Sequence, residues 1–115
     1  MIQFSSEIHN QILLLNLSGD LMGVNLENDL IELIEESLNN KIVLCAIDIS
    51  NLRFINSSGI GLLIIILTKF RNKGGEVFLI NPSEKVKKLL IITKLYAIFN
   101  IVDNKNEAID QLTRL

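Results

Sequence analysis

The sequence predicts an α/β fold in which a small mixed β-sheet carries helices mainly on one side. Short apolar runs of strand length alternate along the chain with longer segments whose apolar residues recur at helical spacing. The 115 residues are typical of one domain, and a hydrophobic content of 49% is enough to fill one core. Because no internal repeat or linker-like segment divides the chain, we expect the single domain to span residues 1–115.

The N-terminal part is predicted to be an antiparallel hairpin, because apolar stretches at residues 2–8 and 11–18 are separated by the polar pair His9-Asn10. His9 is the only histidine of the chain, and we expect it to be exposed in this turn. A lone histidine without a cysteine or a second histidine nearby is a poor candidate for a metal ligand or a catalytic base.

Residues 25–39 are predicted to form the first helix, with Asn25 as its cap and acidic residues on its outer face. The inner face would carry the apolar residues at helical spacing, Leu26, Leu30, Leu33, Ile34 and Leu38. The next segment, Ile42 to Ile49, is continuously apolar and rich in β-branched residues, as in a strand that is covered on both faces. We therefore expect it to be the central strand of the sheet.

The junction between this strand and the next helix is the strongest candidate for a functional site. Asp48 lies near the predicted end of the strand, and the polar run Asn56, Ser57 and Ser58 precedes a long apolar segment. The first backbone N–H groups of a helix lack intrahelical partners, so any of the three polar side chains can cap them. The same N–H groups favour an anion, which leaves capping and anion binding as two interpretations of this run.

The second half of the chain continues the alternation. Glu76 to Ile80 is predicted to be a short strand, and Asn81-Pro82-Ser83 to begin a helix with proline near its first turn. Phe99 to Val102 is predicted to add an edge strand, and Asn104 with Glu107 to begin the last helix. The expected inward residues of these two helices are Val86, Leu89, Leu90, Ala108, Ile109 and Leu112.

Composition and charge exclude several classes of protein. The 11 basic residues nearly balance the 13 acidic ones, which argues against direct nucleic-acid binding. Residues 1–10 lack the pattern of a signal peptide, and no apolar run approaches the roughly 18 residues that span a bilayer, so we expect a cytoplasmic protein without membrane insertion. Cys45, the only cysteine, lies in an apolar run and is expected to be a core residue.

The residues around the strand-to-helix junction form one continuous pattern. It reads Asp48-Ile49-Ser50, then Leu52, then Phe54-Ile55-Asn56-Ser57-Ser58-Gly59-Ile60-Gly61. This pattern resembles the signature of the STAS domain, best known from bacterial anti-sigma factor antagonists, which reads roughly D-hydrophobic-S-x-hydrophobic-x-[FY]-[IM]-[DN]-S-[ST]-G-hydrophobic-G. The order of the predicted elements also agrees with that family over nearly the whole chain, which makes the resemblance more specific than a short motif.

The resemblance implies a STAS-like domain that acts as a phospho-regulated binding protein. In that family a partner kinase phosphorylates the first serine of the S-[ST]-G step, which is Ser57 here, and Asp48, Asn56, Ser58 and Gly59 would form the loop around it. The unphosphorylated form would bind an anti-sigma factor with serine kinase activity, and phosphorylation would release it. A serine phosphatase would restore the binding form, and a weak homodimer is compatible with the resemblance.

Two alternatives to this function are open at this point. One is a STAS-like scaffold or adaptor subunit of a larger signalling complex that never exchanges phosphate. The other is an enzyme, for which the sequence offers little, since it contains neither a phosphate-binding loop nor a dinucleotide fingerprint nor a nucleophile elbow. We therefore expect no catalytic residue, no metal and no cofactor.

Three positions depart from the pattern of many relatives. Asn56 stands where many carry Asp. The second strand ends in Gly19-Asp20-Leu21-Met22, whereas many antagonists have an acidic residue after the leucine. Met22 therefore predicts either a partner other than a typical anti-sigma kinase or a different contact with this edge. Lys94 stands where relatives commonly have Gly after a helix, and in a left-handed turn this lysine would cost about 1 kcal/mol relative to Gly.

The helix after the junction predicts a partner surface. Taking about 100° per residue from Ile60, the residues expected to pack on the sheet are Leu63, Ile64, Leu67 and Phe70. Those expected on the other side are Leu62, Ile65 and Ile66. We expect Leu62 and Ile66 to form an exposed apolar docking patch with Ser57 and Lys69 at its rim. The alternative is that a neighbouring helix or a crystal-type self-contact covers this side.

Overall fold

The structure, a computed structural model, describes residues 2–22 and 27–115, except for the side chain of Glu27. The strands in the described residues are β1 (Gln3–His9), β2 (Ile12–Leu21), β3 (Leu44–Ile55), β4 (Glu76–Ile80) and β5 (Asn100–Val102). The helices are α1 (Glu27–Asn39), α2 (Ser57–Asn72), α3 (Glu84–Ile92) and α4 (Lys105–Thr113), with a short 3-10 turn at Leu95–Ala97. Among these helices, none combines the length and apolarity that a membrane crossing requires.

The strands form one mixed sheet in the order β1-β2-β3-β4-β5. β1 and β2 are the predicted antiparallel hairpin, and His9, the last residue of β1, is exposed and opposite Ile12. The remaining neighbours are parallel. β3 is the third of the five strands and is therefore the central strand, as predicted. Because parallel strands end at the same edge of a sheet, the C-terminal ends of β2, β3 and β4 share the edge at which α1, α2 and α3 follow.

The helices cover the two faces of the sheet unequally, and this arrangement confirms the predicted packing mainly on one side. On one face, α1, α2 and α3 share a large core with the strand residues Leu13, Leu15, Leu17, Cys45, Ile47, Val77 and Leu79. On the other face, α4 covers a smaller core formed by Ile12, Leu14, Ala46, Phe78, Ile80 and Val102. The alternation of side chains along β2 divides its leucines between the two cores.

The predicted helix faces are largely confirmed. In α1, Leu30, Ile34 and Leu38 are buried and Leu33 is half-buried, whereas the predicted Asn25 and Leu26 lie outside the described residues. Caps confirm the predicted starts of α3 and α4: Ser83 Oγ accepts a hydrogen bond from the Val86 N–H, and Asn104 Oδ1 accepts one from the Glu107 N–H. The inward residues of these two helices are buried or half-buried, namely Val86, Leu89, Leu90, Ala108, Ile109 and Leu112.

Two isolated predictions are also confirmed. Lys94 has φ 65° and ψ 12°, the left-handed conformation that Gly adopts without strain. Cys45 is fully buried in the larger core, and this burial raises the pKa of its thiol, which keeps it protonated and unreactive.

β3 is longer than predicted, because two bulges hide its second half from sequence analysis. Asp48 pairs with Asn16 and Asn51 with Ser18, so β3 contains one extra residue there, and a second extra residue follows at Arg53. At a bulge the two-residue alternation is interrupted. The buried residues therefore fall at Ile47, Ile49, Leu52 and Ile55. This strand runs on to Ile55 and leads directly into α2.

Candidate functional site

The start of α2 is organised by Asn56. Its backbone is extended (φ −103°, ψ −177°), and its side-chain Oδ1 accepts a hydrogen bond of 2.8 Å from the Gly59 N–H. The Ile60 N–H then donates to the Asn56 carbonyl, which closes the first helical turn. Of the three predicted capping candidates, Asn56 is thus the cap, while Ser57 and Ser58 lie in the first turn with exposed side chains.

Gly59 locks this first turn onto the end of β2. A Cβ atom at Gly59 would lie 2.2 Å from the Leu21 carbonyl oxygen and 2.9 Å from Ile55 Cγ1. The same Leu21 oxygen accepts a hydrogen bond of 3.3 Å from the Asn56 N–H. Because Gly59 has no side chain, the first turn of α2 packs directly against the backbone of Leu21 in β2. This contact sets the position of Ser57 relative to the sheet.

The placement of Asp48 in the loop around Ser57 was wrong. Asp48 lies within β3, where its Oδ1 accepts hydrogen bonds from the Ser50 N–H (2.9 Å) and the Ser50 hydroxyl (2.6 Å). Since Ser50 is part of the first bulge, Asp48 stabilises the irregular path of the strand. Its carboxylate also lines a cleft of about 300 Å³ shared with Asn16 and Asn51, away from the start of α2. The observed contacts of Asp48 are therefore with β3 itself and not with the start of α2.

The predicted docking patch on α2 was also wrong. Leu62 and Ile66 are 2% and 0% exposed and belong to the larger core, whereas Ile64 and Ile65 are 38% and 42% exposed. The buried arc of α2 spans roughly 160° at about 100° per residue, with Ile60 at its edge. The prediction took Ile60 as the centre of the buried side. It therefore placed Ile64 in the core and Leu62 and Ile66 at the surface, the reverse of what is observed.

α1 supplies the reason for the wide arc. α2 packs against α1 as well as against β3 and β4, so its buried residues face two directions. Lys69, expected at the rim of a docking patch, instead forms an ion pair with Glu35 of α1. The alternative that a neighbouring helix covers this side of α2 is the one that the structure shows.

Two charged contacts lie on the strand that leads to Ser57. Arg53 pairs with Asp20 across β2 and β3 at 3.2 Å, and the arginine side chain is 73% exposed, so the pair contributes little to stability. The Lys85 ammonium of α3 lies 5.7 Å from the centre of the Phe54 ring. Sequence reasoning missed this second contact, because nothing local to either residue indicates that α3 lies beside β3.

Met22, the residue that directly follows β2, is 40% exposed. In the described part of the chain, no three side chains of the types His, Cys, Asp and Glu are grouped in the way a metal site requires. The start of α2 therefore presents two exposed serine side chains, Ser57 and Ser58, behind the capping residue Asn56. The exposed Met22 follows Leu21, whose carbonyl oxygen contacts this helix start.

Comparisons with known proteins find similarity over nearly the whole chain. The model of the STAS domain family matches residues 3–108. The chain is 27% identical over 111 residues to an anti-sigma F factor antagonist of Paenibacillus polymyxa, covering 96% of this chain and 95% of the relative.

Solved structures show the same fold. The solution structure of the protein TM1081 of Thermotoga maritima has a TM-score of 0.83 and 28% identity, covering 98% of this chain and 90% of that one. The anti-sigma factor antagonist SpoIIAA in its unphosphorylated form has a TM-score of 0.78 at 21% identity, covering 98% and 100%. Bacillus SpoIIAA in its phosphorylated form has a TM-score of 0.71 at 22% identity, covering 95% and 98%.

Proposed function

The chain belongs to the STAS domain family and resembles its anti-sigma factor antagonists, and on this premise we propose that it is a binding protein switched by phosphorylation at Ser57. In its unphosphorylated form it binds a partner that is both an anti-sigma factor and a serine kinase. Phosphorylation of Ser57 by this partner releases the complex, and a serine phosphatase regenerates the binding form. The chain itself contributes a surface and an acceptor hydroxyl rather than catalysis.

One observation carries this proposal: Ser57 is the first residue of α2, exposed, and preceded by the capping residue Asn56. The N–H groups of the first helical turn and the positive end of the helix dipole stabilise a negative group there. A phosphate, with about 1.5 to 2 negative charges, can therefore be added to Ser57 without loss of any buried contact. The solved phosphorylated form of SpoIIAA supports the view that this fold holds a phosphate.

The side of α2 that faces away from the core supplies a partner surface in place of the predicted patch. Ser57, Gly61, Ile64 and Thr68 follow one another on this side, with Ile65 beside them. We define these residues as the outer strip of α2. It carries no charge, so a phosphate at its end would place a dianion against whatever apolar surface the partner presents. Binding would then require the phosphate to lose its hydration without a compensating contact, so the partner is released without any rearrangement of the fold.

The phosphorylation site is tested by intact-mass spectrometry of the protein purified from its own cells. Wild type and Ser58→Ala should carry one phosphate group, and Ser57→Ala should carry none. Ser58→Ala is a matched control, because both serines lie exposed in the first turn of the same helix.

A phosphate retained on Ser57→Ala would show that the acceptor is a different residue. Absence of phosphate from all three proteins, in every growth phase, would favour the scaffold that never exchanges phosphate.

A further inference from the structure

Lys85 is the cation placed beside the strand that delivers Ser57. Its ammonium lies 5.7 Å from the centre of the Phe54 ring, and Phe54 is 37% exposed. Phe54 is separated from Ser57 only by Ile55 and Asn56, so the two Cα atoms are at most about 11 Å apart. A lysine has a flexible four-carbon stem, so the ammonium can move over several ångströms without any backbone change.

This position follows from the unequal lengths of β3 and β4. The two strands pair only as far as Asp48 and Ile80, and β3 then continues to Ile55 without β4 beside it. α3 begins at Glu84, shortly after β4 ends, and packs against β3. The first turn of α3, which contains Lys85, thereby lies alongside the last part of β3.

The other cation on the last part of β3 has a carboxylate partner. Arg53 pairs with Asp20 at 3.2 Å. Within the described residues, Lys85 contacts an aromatic ring and forms no ion pair. An exposed cation–π contact is weak, whereas a charge-assisted contact with a dianion is among the stronger polar interactions. Of these two cations, Lys85 is therefore the one whose charge is not offset by a carboxylate of the described residues.

We propose that Lys85 responds to the phosphate: it covers Phe54 in the unphosphorylated protein and leaves the ring to pair with the phosphate of Ser57. This inference rests on the proposed function, because it presupposes a phosphate at Ser57. Phosphorylation would then change the surface twice, by adding negative charge at the start of α2 and by uncovering an aromatic ring at the end of β3. A partner would therefore meet a different apolar surface as well as a different charge.

α3 contains a matched control for this proposal. Lys87 lies over the Tyr96 ring, also at 5.7 Å from its centre, on the same helix. Tyr96 belongs to the 3-10 turn after α3, rather than to β3. Lys85→Ala and Lys87→Ala therefore remove the same charge and the same type of contact, but only the first removes it at Phe54, three residues before Ser57.

The test uses phosphoserine incorporated at position 57 during translation, so that no kinase is required. The second pKa of the phosphate is measured by phosphorus NMR in wild type, Lys85→Ala and Lys87→Ala. A nearby cation favours the dianion and lowers this pKa from its usual value of about 6, so its removal raises the pKa. For an ammonium about 4 to 7 Å from the phosphate in screened water, Lys85→Ala should raise it by about 0.2 to 0.5 units. A shift in Lys85→Ala no larger than that in Lys87→Ala would overturn the proposal.

The release of the ring is measured separately. Ring currents shift the ε-methylene proton resonances of a lysine that lies over an aromatic face. The Lys85 resonances should lose this shift when phosphoserine replaces Ser57, while those of Lys87 keep it. Unchanged Lys85 resonances would refute the release. Because the phosphoserine is incorporated directly, a failure here is distinct from a failure of the proposed function, which would appear as absence of phosphate on the protein from its own cells.

Discussion

The contact of Gly59 with the end of β2 makes a quantitative prediction about stability. In Gly59→Ala the added Cβ would lie 2.2 Å from the Leu21 carbonyl oxygen, roughly 1.2 Å closer than an ordinary contact of 3.4 Å. The opposing atom is backbone, so α2 must move away from β2 and weaken the hydrogen bond from the Asn56 N–H. Overpacking of this kind costs about 3 kcal/mol at the upper end of its usual range, and the gain from Ala in a helix recovers about 1 kcal/mol.

We therefore expect Gly59→Ala to lower the free energy of unfolding by about 2 kcal/mol, or the Tm by roughly 8 °C for a domain of this size. Urea denaturation followed by circular dichroism measures this change. Gly61→Ala is the matched control, since a Cβ there meets nothing within 4 Å, and we expect it to stabilise the domain by about 0.5 to 1 kcal/mol. Stabilisation of the domain by both substitutions would refute the close approach of α2 to β2.

Three further predictions concern α2 and the turn after α3. Leu62→Asp should destabilise the domain by more than about 3 kcal/mol because it buries an unpaired charge, whereas Ile65→Asp should leave the Tm nearly unchanged and weaken partner binding; equal Tm losses in both would contradict the assignment of the two faces. Ser57→Asp should remain folded and bind the partner more weakly than wild type in a titration, and equal affinities would count against control by charge. Lys94→Gly should raise the free energy of unfolding by about 1 kcal/mol in urea melts by relieving the left-handed conformation, and a loss of stability would show that the lysine side chain makes compensating contacts.

What could be predicted from the sequence depended on how local its cause is. Caps such as Asn104 act over three residues, so their signal is contained in the sequence nearby. The position of Ser57 at the start of α2 followed from the same kind of signal together with the family pattern. The length of β3 could not be predicted, because a bulge removes the alternation from which strands are recognised.

The remaining errors came from contacts between distant elements. The burial of Leu62 and Ile66 depends on α1 lying against α2, and a helical wheel contains no information about a second neighbour. The contact of Lys85 with Phe54 depends on where α3 lies relative to the extended β3. In both cases the sequence shows the chemical character of the side chain, but it does not show which distant helix or strand packs against it.

The bulges in β3 determine which changes of chain length this domain tolerates. Deletion of Asn51 would remove the first bulge and turn the side chains of Leu52 and Ile55 from the core toward solvent. It would also draw Asn56 back by roughly 3.3 Å, one residue of strand, and so separate the cap from the end of β2. Substitutions at the exposed Asn51 or Arg53 do not change the length of β3, so Leu52 and Ile55 still point into the core. Variants of this segment that keep the fold should therefore differ by substitutions and rarely by insertions or deletions.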